Sequence, residues 1–125
     1  MGKKILPFLL LIPFFMVFIR CATPVPRSQL HFGILAAQRN LWDEAVFRWK
    51  KAVELEPGSA AAHNNLAVAY EKKGMLEEAE KEYKIALELN PKNEYIQSNY
   101  EKFKQGLDEE NEEEEEKKKD EKKKL

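Results

Sequence analysis

Apolar positions divide this chain into three regions of different pattern. Residues 5–19 are an apolar run broken only by Pro7 and Pro13. From residue 28 onward, apolar and small residues recur every three or four positions, which is typical of amphipathic helices. Pro57, Gly74 and Pro91 punctuate this region, and the last eighteen residues are nearly all charged. The pattern predicts an all-α fold with five helices, near 28–39, 42–55, 60–73, 76–89 and 93–107.

The apolar run at the N-terminus has the features of an export signal. Lys3 and Lys4 precede it, and its fifteen residues match the upper length of a secretory apolar core, about 7–15 residues. As a helix it would span about 22 Å, short of a hydrocarbon layer near 30 Å. We therefore predict a signal peptide over residues 1–20, with a short uncleaved signal anchor as the alternative.

The helical region repeats itself with a period of 34 residues. The stretch "WKKAVELEPGSA" at 49–60 returns as "YKIALELNPKNE" at 83–94, so that Trp49 aligns with Tyr83 and Pro57 with Pro91. This period and these residues resemble the tetratricopeptide repeat, a helix-turn-helix unit of 34 residues. The resemblance implies a short α-solenoid with repeats at about 26–59 and 60–93 and a C-terminal capping helix at 94–107.

The two repeats match the family pattern to different degrees. In the second, His63 replaces the usual Trp. The first is looser, with Gln29 and Ala36 at places where Trp and Tyr are expected, and Asn40 replaces the turn glycine. Aromatic residues of both repeats are expected to fill the wider gaps between helices, whereas small residues permit close approach. These aromatic residues are Phe32, Trp49, Tyr70 and Tyr83.

The stretch "FIRC" at 18–21 resembles the four-residue box of a bacterial lipoprotein signal. In that family the final cysteine receives a diacylglycerol, and the chain is cut just before it. Cys21 occupies the obligatory place, whereas Arg20 departs from the usual Gly, Ala or Ser. The resemblance implies an exported protein tethered to a membrane through Cys21, with 21–27 as a Pro-rich tether. Ala22 favours the outer membrane by the same resemblance. The alternative is a cysteine that merely ends an apolar segment.

The tetratricopeptide resemblance also implies a groove, lined by the first helix of each repeat, that binds a protein or peptide partner. A subset of the family binds a C-terminal carboxylate with Lys and Arg, but Leu30, Tyr95 and Asn99 occupy those places here, which favours an apolar peptide or helix. Asn65 and Asn99 are candidates to bond a peptide backbone, or alternatively to tie adjacent helices together. The predicted groove residues are Leu30, Ile34, Ala37, Asn64, Asn65, Val68, Glu71, Tyr95 and Asn99.

Composition argues against other classes of function. The net charge is −1, and no basic stripe of the kind that binds nucleic acid is present. One cysteine cannot form an intrachain disulfide. His31 and His63 lie at non-equivalent repeat places, so each is better explained as a satisfied or exposed side chain than as a metal ligand. We predict no catalytic residue, no metal site and no cofactor.

The charged segment 108–125 contains ten acids and six lysines. Glu113, Glu114 and Glu115 each precede a lysine by four residues, which favours helix, so the capping helix is predicted to continue to about residue 118. The segment is either a solvated tail or a docking site. Because two repeats have few neighbours, self-association through Leu41, Trp42 and Phe47 is also predicted. An assembly subunit that self-associates without a peptide ligand is therefore the alternative to a peptide-binding module.

Overall fold

The computed structural model describes residues 26–124, and this part of the chain is all-helical. Its five helices are α1 (Pro26–Gln38), α2 (Trp42–Leu55), α3 (Ala60–Lys72), α4 (Leu76–Leu89) and α5 (Glu94–Lys123). Helix α1 packs against α2, α3 packs against both α2 and α4, and α5 packs against α3 and α4. This is the predicted short α-solenoid of two helical hairpins and a capping helix.

The turns inside the two hairpins are equivalent. Asn40 and Gly74, 34 residues apart, have φ of 58° and 70°. This left-handed conformation costs little for Gly and is tolerated by Asn, because its short side chain bonds locally. Each residue thus lets the chain reverse between the two helices of its repeat.

In the turns between hairpins, a side chain caps the helix that follows. Ser59 caps α3 by accepting a hydrogen bond from the backbone N–H of Ala62, and Asn93 caps α5 by accepting from Tyr95 and Ile96. Such caps satisfy N–H groups that have no partner within the helix. Glu56, which precedes Pro57, ends α2 with φ of −139° and ψ of 79°, outside the helical region, as expected for a residue that precedes proline.

Small residues bring the helices close together, and aromatic residues fill the remaining space. Ala45 and Ala79 are fully buried, and Trp49 and Tyr83 lie beside them in the core. The indole Nε1 of Trp49 donates to the carbonyl of Leu30 at 3.1 Å, which ties α2 to α1. In the second hairpin the ring of Tyr83 lies 5.3 Å from that of Phe103, and this contact seats α5 on α4.

The first helix begins earlier than predicted. Pro26 is its first residue, so the last two residues of the predicted tether 21–27 belong to α1. Proline is suited to this position because its fixed φ matches the helix, and the N–H that it lacks would have no helical partner. Residues 1–25, including the predicted signal peptide and Cys21, lie outside the described residues.

The last helix extends further than predicted. It ends at Lys123, five residues beyond the expected end, so most of 108–125 continues α5. Its Glu and Lys side chains pair four residues apart at Glu113–Lys117, Glu114–Lys118 and Glu115–Lys119, with N–O distances of 3.4–3.8 Å. Each such pair stabilises a helix by about 0.2–0.5 kcal/mol. These pairs stabilise a helical segment that has no apolar face.

Phe32 is placed differently from the prediction. It was expected to fill a gap between helices, yet 47% of it is exposed, whereas its equivalent Leu66 in the second repeat is 3% exposed. Leu66 lies on α3, which has α2 on one side and α4 on the other. Within the described residues, nothing precedes α1 to cover Phe32 in the same way.

Candidate functional site

The first helices of the successive units are α1, α3 and α5, and the 34-residue register places equivalent residues along them. Ile34 on α1, Val68 on α3 and Lys102 on α5 are one such row. We call the surface formed by these rows the first-helix face. All the predicted groove residues lie on these three helices, and their side chains divide into those that hold the face together and those that project from it.

Asn64 is the clearest difference from prediction. It was expected at an exposed groove position, but only 1% of it is exposed. Its Oδ1 accepts a hydrogen bond from Asn99 Nδ2 at 3.1 Å, and its own Nδ2 donates to Asn65 Oδ1 at 3.4 Å. Because α5 packs against α3, this position is covered. Of the two roles predicted for Asn99, the structure shows the one in which its side chain joins adjacent helices, here α5 and α3.

Glu71 is also held by a neighbouring helix. The hydroxyl of Tyr83 on α4 donates to Glu71 Oε2 at 2.8 Å. Burial first, and then the Glu71 carboxylate, raise the pKa of Tyr83 far above its ordinary value. The phenol therefore remains a donor at neutral pH, and the Glu71 carboxylate is fixed at the edge of the first-helix face.

The remaining predicted groove residues provide an apolar surface. Ile34 and Tyr95 are exposed, whereas Leu30, Ala37 and Val68 are partly buried and pack against the core. A side chain with one surface on the core and the other in solvent is held in place before a ligand arrives, which lowers the entropic cost of binding. Asn65, which is also partly exposed, follows Asn64 directly in the chain.

Three polar side chains on the same rows were missed by the sequence reasoning. Lys102 and Gln105 on α5 are the equivalents of Val68 and Glu71, and His31 on α1 is the equivalent of Asn65. All three are exposed. The 34-residue spacing, applied from α3 forward into α5 and back into α1, would have identified them. They add a polar side chain to the first-helix face at α1 and make its α5 part polar, with a cation at Lys102.

Of the two roles predicted for His63, a hydrogen-bonded side chain or an exposed one, the structure shows the first. It is buried, and its Nδ1 lies 2.6 Å from Glu82 Oε2 while its Nε2 lies 3.0 Å from the carbonyl of Pro57. Gln29 and Arg48 form the equivalent contact in the first repeat, at 3.4 Å. A pair at this place therefore joins the two helices of each repeat.

Neither a metal cluster nor a membrane span is found between residues 26 and 124. In this part of the chain, no three His, Cys, Asp or Glu side chains are grouped so that they would hold a metal ion. No helix there combines the length and the apolar character needed to cross a bilayer.

Comparison with known families agrees with the geometry. The family described as "Tetratricopeptide repeat" matches residues 60–93, and a second, described as "TPR repeat", matches 36–74. The chain contains tetratricopeptide repeats. The first TPR of Spaghetti (RPAP3), bound to the HSP90 peptide SRMEEVD, is similar in structure, with a TM-score of 0.63, 25% identity and 66% of each chain covered. The TPR-containing domain of a Plasmodium falciparum putative FK506-binding protein gives a TM-score of 0.64 at 25% identity, over 70% of this chain and 58% of that one.

Curated relatives share the tetratricopeptide region over a small part of their length. Protein O-mannosyl-transferase F38B6.6 of Caenorhabditis elegans is 30% identical over 79 residues, which are 63% of this chain and 11% of that protein. The type IV pilus assembly protein PilF of Pseudomonas aeruginosa is 36% identical over 76 residues, 61% of this chain and 30% of PilF. The chain thus spans less than a third of the length of either relative, and the fold common to them is that of a protein-interaction module.

Proposed function

We propose that this protein is a non-catalytic interaction module of the bacterial envelope that binds an apolar peptide or helix on its first-helix face. The observation that carries the proposal is the row of Ile34 and Val68, which projects from a face held together by the Asn64–Asn99 hydrogen bond. Apolar side chains at fixed spacing, with amides beside them, suit an amphipathic partner segment. The similar structure bound to an HSP90 peptide supports peptide binding by such repeats.

The proposed ligand is not anchored by its C-terminal carboxylate. Leu30, Tyr95 and Asn99 occupy the places where carboxylate-binding members of the family have Lys or Arg. Asn99 is in addition bonded to Asn64, so its amide is engaged within the domain. We therefore propose that affinity depends on apolar contact, with Lys102 favouring an acidic residue at one end of the ligand.

Peptide binding is tested by measuring fluorescence anisotropy of labelled amphipathic peptides with the purified full chain. Ile34→Arg, which places a charge in the apolar row, is expected to weaken binding at least about tenfold, equivalent to 1.4 kcal/mol. The matched control is Leu89→Arg, because Leu89 is as exposed as Ile34 but lies on α4, outside the first-helix face. Equal binding by wild type and Ile34→Arg would exclude this face as the site.

We further propose that the module is tethered to a membrane, with the outer membrane favoured, through a lipid on Cys21 after removal of residues 1–20. The apolar run, the cysteine at its end and the resemblance of PilF, a pilus assembly protein of a bacterium, support this proposal. Intact-mass measurement of membrane-extracted protein tests it. A lipid-modified chain that begins at Cys21 is expected, with faster maturation in Arg20→Ala. A chain that retains Met1 would contradict cleavage.

A further inference from the structure

Helix α2 of the first repeat carries a stripe of four residues, two exposed and two half-buried, that its counterpart α4 lacks. Phe47 and Arg48 follow Glu44 by three and four residues, and Lys51 follows Phe47 and Arg48 by four and three, so the four residues share one side of the helix. We call them the α2 stripe. Phe47 is 52% exposed, and the second repeat has Lys81 at the equivalent position. An aromatic residue there is not required by the fold.

The α2 stripe is continuous with the exposed ring of Phe32 on α1. The guanidinium carbon of Arg48 lies 5.6 Å from the ring centroid of Phe32 and 5.5 Å from that of Phe47. Arg48 thus joins two exposed rings on two helices into one patch. Phe32 lies at the position whose equivalent, Leu66, is buried where the second repeat meets its neighbours. Aromatic residues and Arg are also the residue types enriched in binding hot spots.

Two copies of the α2 stripe that run in opposite directions would place complementary side chains opposite each other. If two α2 helices lie antiparallel about a point between residues 47 and 48, Glu44 of each faces Lys51 of the other, and Phe47 of each faces Arg48. Both contacts occur twice, which is the requirement of a two-fold symmetric interface. The first pairs opposite charges, and the second pairs a cation with an aromatic face.

The other end of the solenoid does not offer a surface for head-to-tail assembly. Helix α5 covers that end, and its buried side chains, Ile96 and Phe103, face the repeats. The exposed positions of α5 between 97 and 105 are polar: Gln97, Glu101, Lys102, Lys104 and Gln105. A second copy that used α5 to cover Phe32 would bury these groups against apolar rings. We propose that two copies of this chain pair through their α2 stripes into a closed, two-fold dimer.

Formation of the dimer requires the surface ion pairs of α2 to rearrange. Arg48 pairs with Glu44, and Lys51 with Glu54, each at 2.6 Å within α2. Exposed pairs of this kind contribute about 0–1 kcal/mol, so their exchange for pairs between copies costs little. The contact between two short helices is small, and we expect an association in the range of weak, transient interfaces.

Sedimentation equilibrium of the full chain in density-matched nonionic detergent tests the dimer. Phe47→Lys installs the residue that the second repeat carries at the same position, so the helix should form normally. We expect it to weaken dimerisation at least tenfold. Leu89→Lys, an exposed apolar residue on α4, is the matched control and should dimerise as wild type. A wild-type chain that stays monomeric, or a Phe47→Lys variant that dimerises equally well, would overturn the proposal.

Charge reversal gives a test that loss of folding cannot imitate. Glu44→Lys and Lys51→Glu should each weaken the dimer, and the double variant should recover most of the association because the opposed charges are exchanged in both copies. Failure of the double variant to recover would refute the antiparallel register. Protection of Phe47 from hydroxyl-radical oxidation in lipid nanodiscs that hold one copy would instead assign the stripe to lipid. Ile34→Arg, which tests peptide binding, should leave dimerisation unchanged, so the two proposals fail separately.

Discussion

Replacement of Gly33 by Ala tests how closely the first two helices approach. A Cβ built at Gly33 would lie 2.2 Å from Nε1 of Trp49 and 2.5 and 2.6 Å from two ring carbons. Favourable contacts between heavy atoms begin near 3.5 Å, so the added methyl overlaps the ring by about 1 Å. The ring has no room to retreat, because Trp49 is 3% exposed and its Nε1 is bonded to the Leu30 carbonyl.

Two opposing effects set the magnitude. Ala is favoured over Gly inside a helix by about 1 kcal/mol. Overpacking costs about 1–3 kcal/mol, and loss of the buried bond from Trp49 costs about 1–3 kcal/mol more. We expect Gly33→Ala to lower the free energy of unfolding by about 3 kcal/mol, a large fraction of the 5–15 kcal/mol of a typical domain.

The assay is chemical denaturation followed by far-ultraviolet circular dichroism. Gly106→Ala is the matched control, since Gly106 also lies in a helix but nothing is within 4 Å of its added Cβ, and it should be neutral or slightly stabilising. The second repeat has Ala67 and Tyr83 where the first has Gly33 and Trp49, so Trp49→Tyr should rescue part of the loss in Gly33→Ala. A Gly33→Ala variant as stable as wild type would refute the close approach.

Three further predictions concern the hydrogen bonds and the tail. His63→Ala removes the ring that lies within hydrogen-bond distance of the Glu82 carboxylate and the Pro57 carbonyl, and should destabilise the domain by about 2–3 kcal/mol in thermal melts; an unchanged melting temperature would contradict the described contact. Burial raises the pKa of Tyr83 above its ordinary 10.0, so the stability that its neutral form contributes is complete below pH 10 and is lost as pH rises further. Tyr83→Phe should therefore lower the free energy of unfolding by about 1 kcal/mol at pH 7. The stability of this variant should also fall less steeply between pH 9 and 11 than that of wild type, whereas the exposed control Tyr95→Phe should follow wild type. Deletion of 108–125 should leave peptide affinity unchanged in the anisotropy assay, and a loss of affinity would make the segment a docking site.

The helices and turns followed from the 34-residue period because each repeat builds the same local structure. Asn40 aligned with Gly74, and both lie in the turn within their repeat, with a left-handed backbone conformation. Burial was less predictable, since it depends on neighbours. Phe32 and Leu66 are equivalent in sequence, but among residues 26–124 no helix precedes α1 as α2 precedes α3. A periodic pattern describes an average repeat and not the neighbours of a particular one.

For the proposed site, the sequence placed the helices correctly and the burial of individual side chains less well. The first helices do carry the apolar rows that include Ile34 and Val68. The burial of Asn64 depended on where α5 crosses α3, a tertiary contact that spacing within one helix does not reveal. The contact of Arg48 with Phe32 likewise joins residues sixteen apart on two helices, and no local pattern indicates it.

Helix α5 extends well beyond the part that packs against the repeats. Beyond Leu107, its last residue to pack against the core, sixteen more residues reach Lys123, a length of about 24 Å at 1.5 Å per residue. A rotation of about 10° where α5 meets α4 would move the far end of such an arm by about 4 Å. A pair of probes, one on the repeats and one near residue 120, would therefore register small changes in packing as a change in distance.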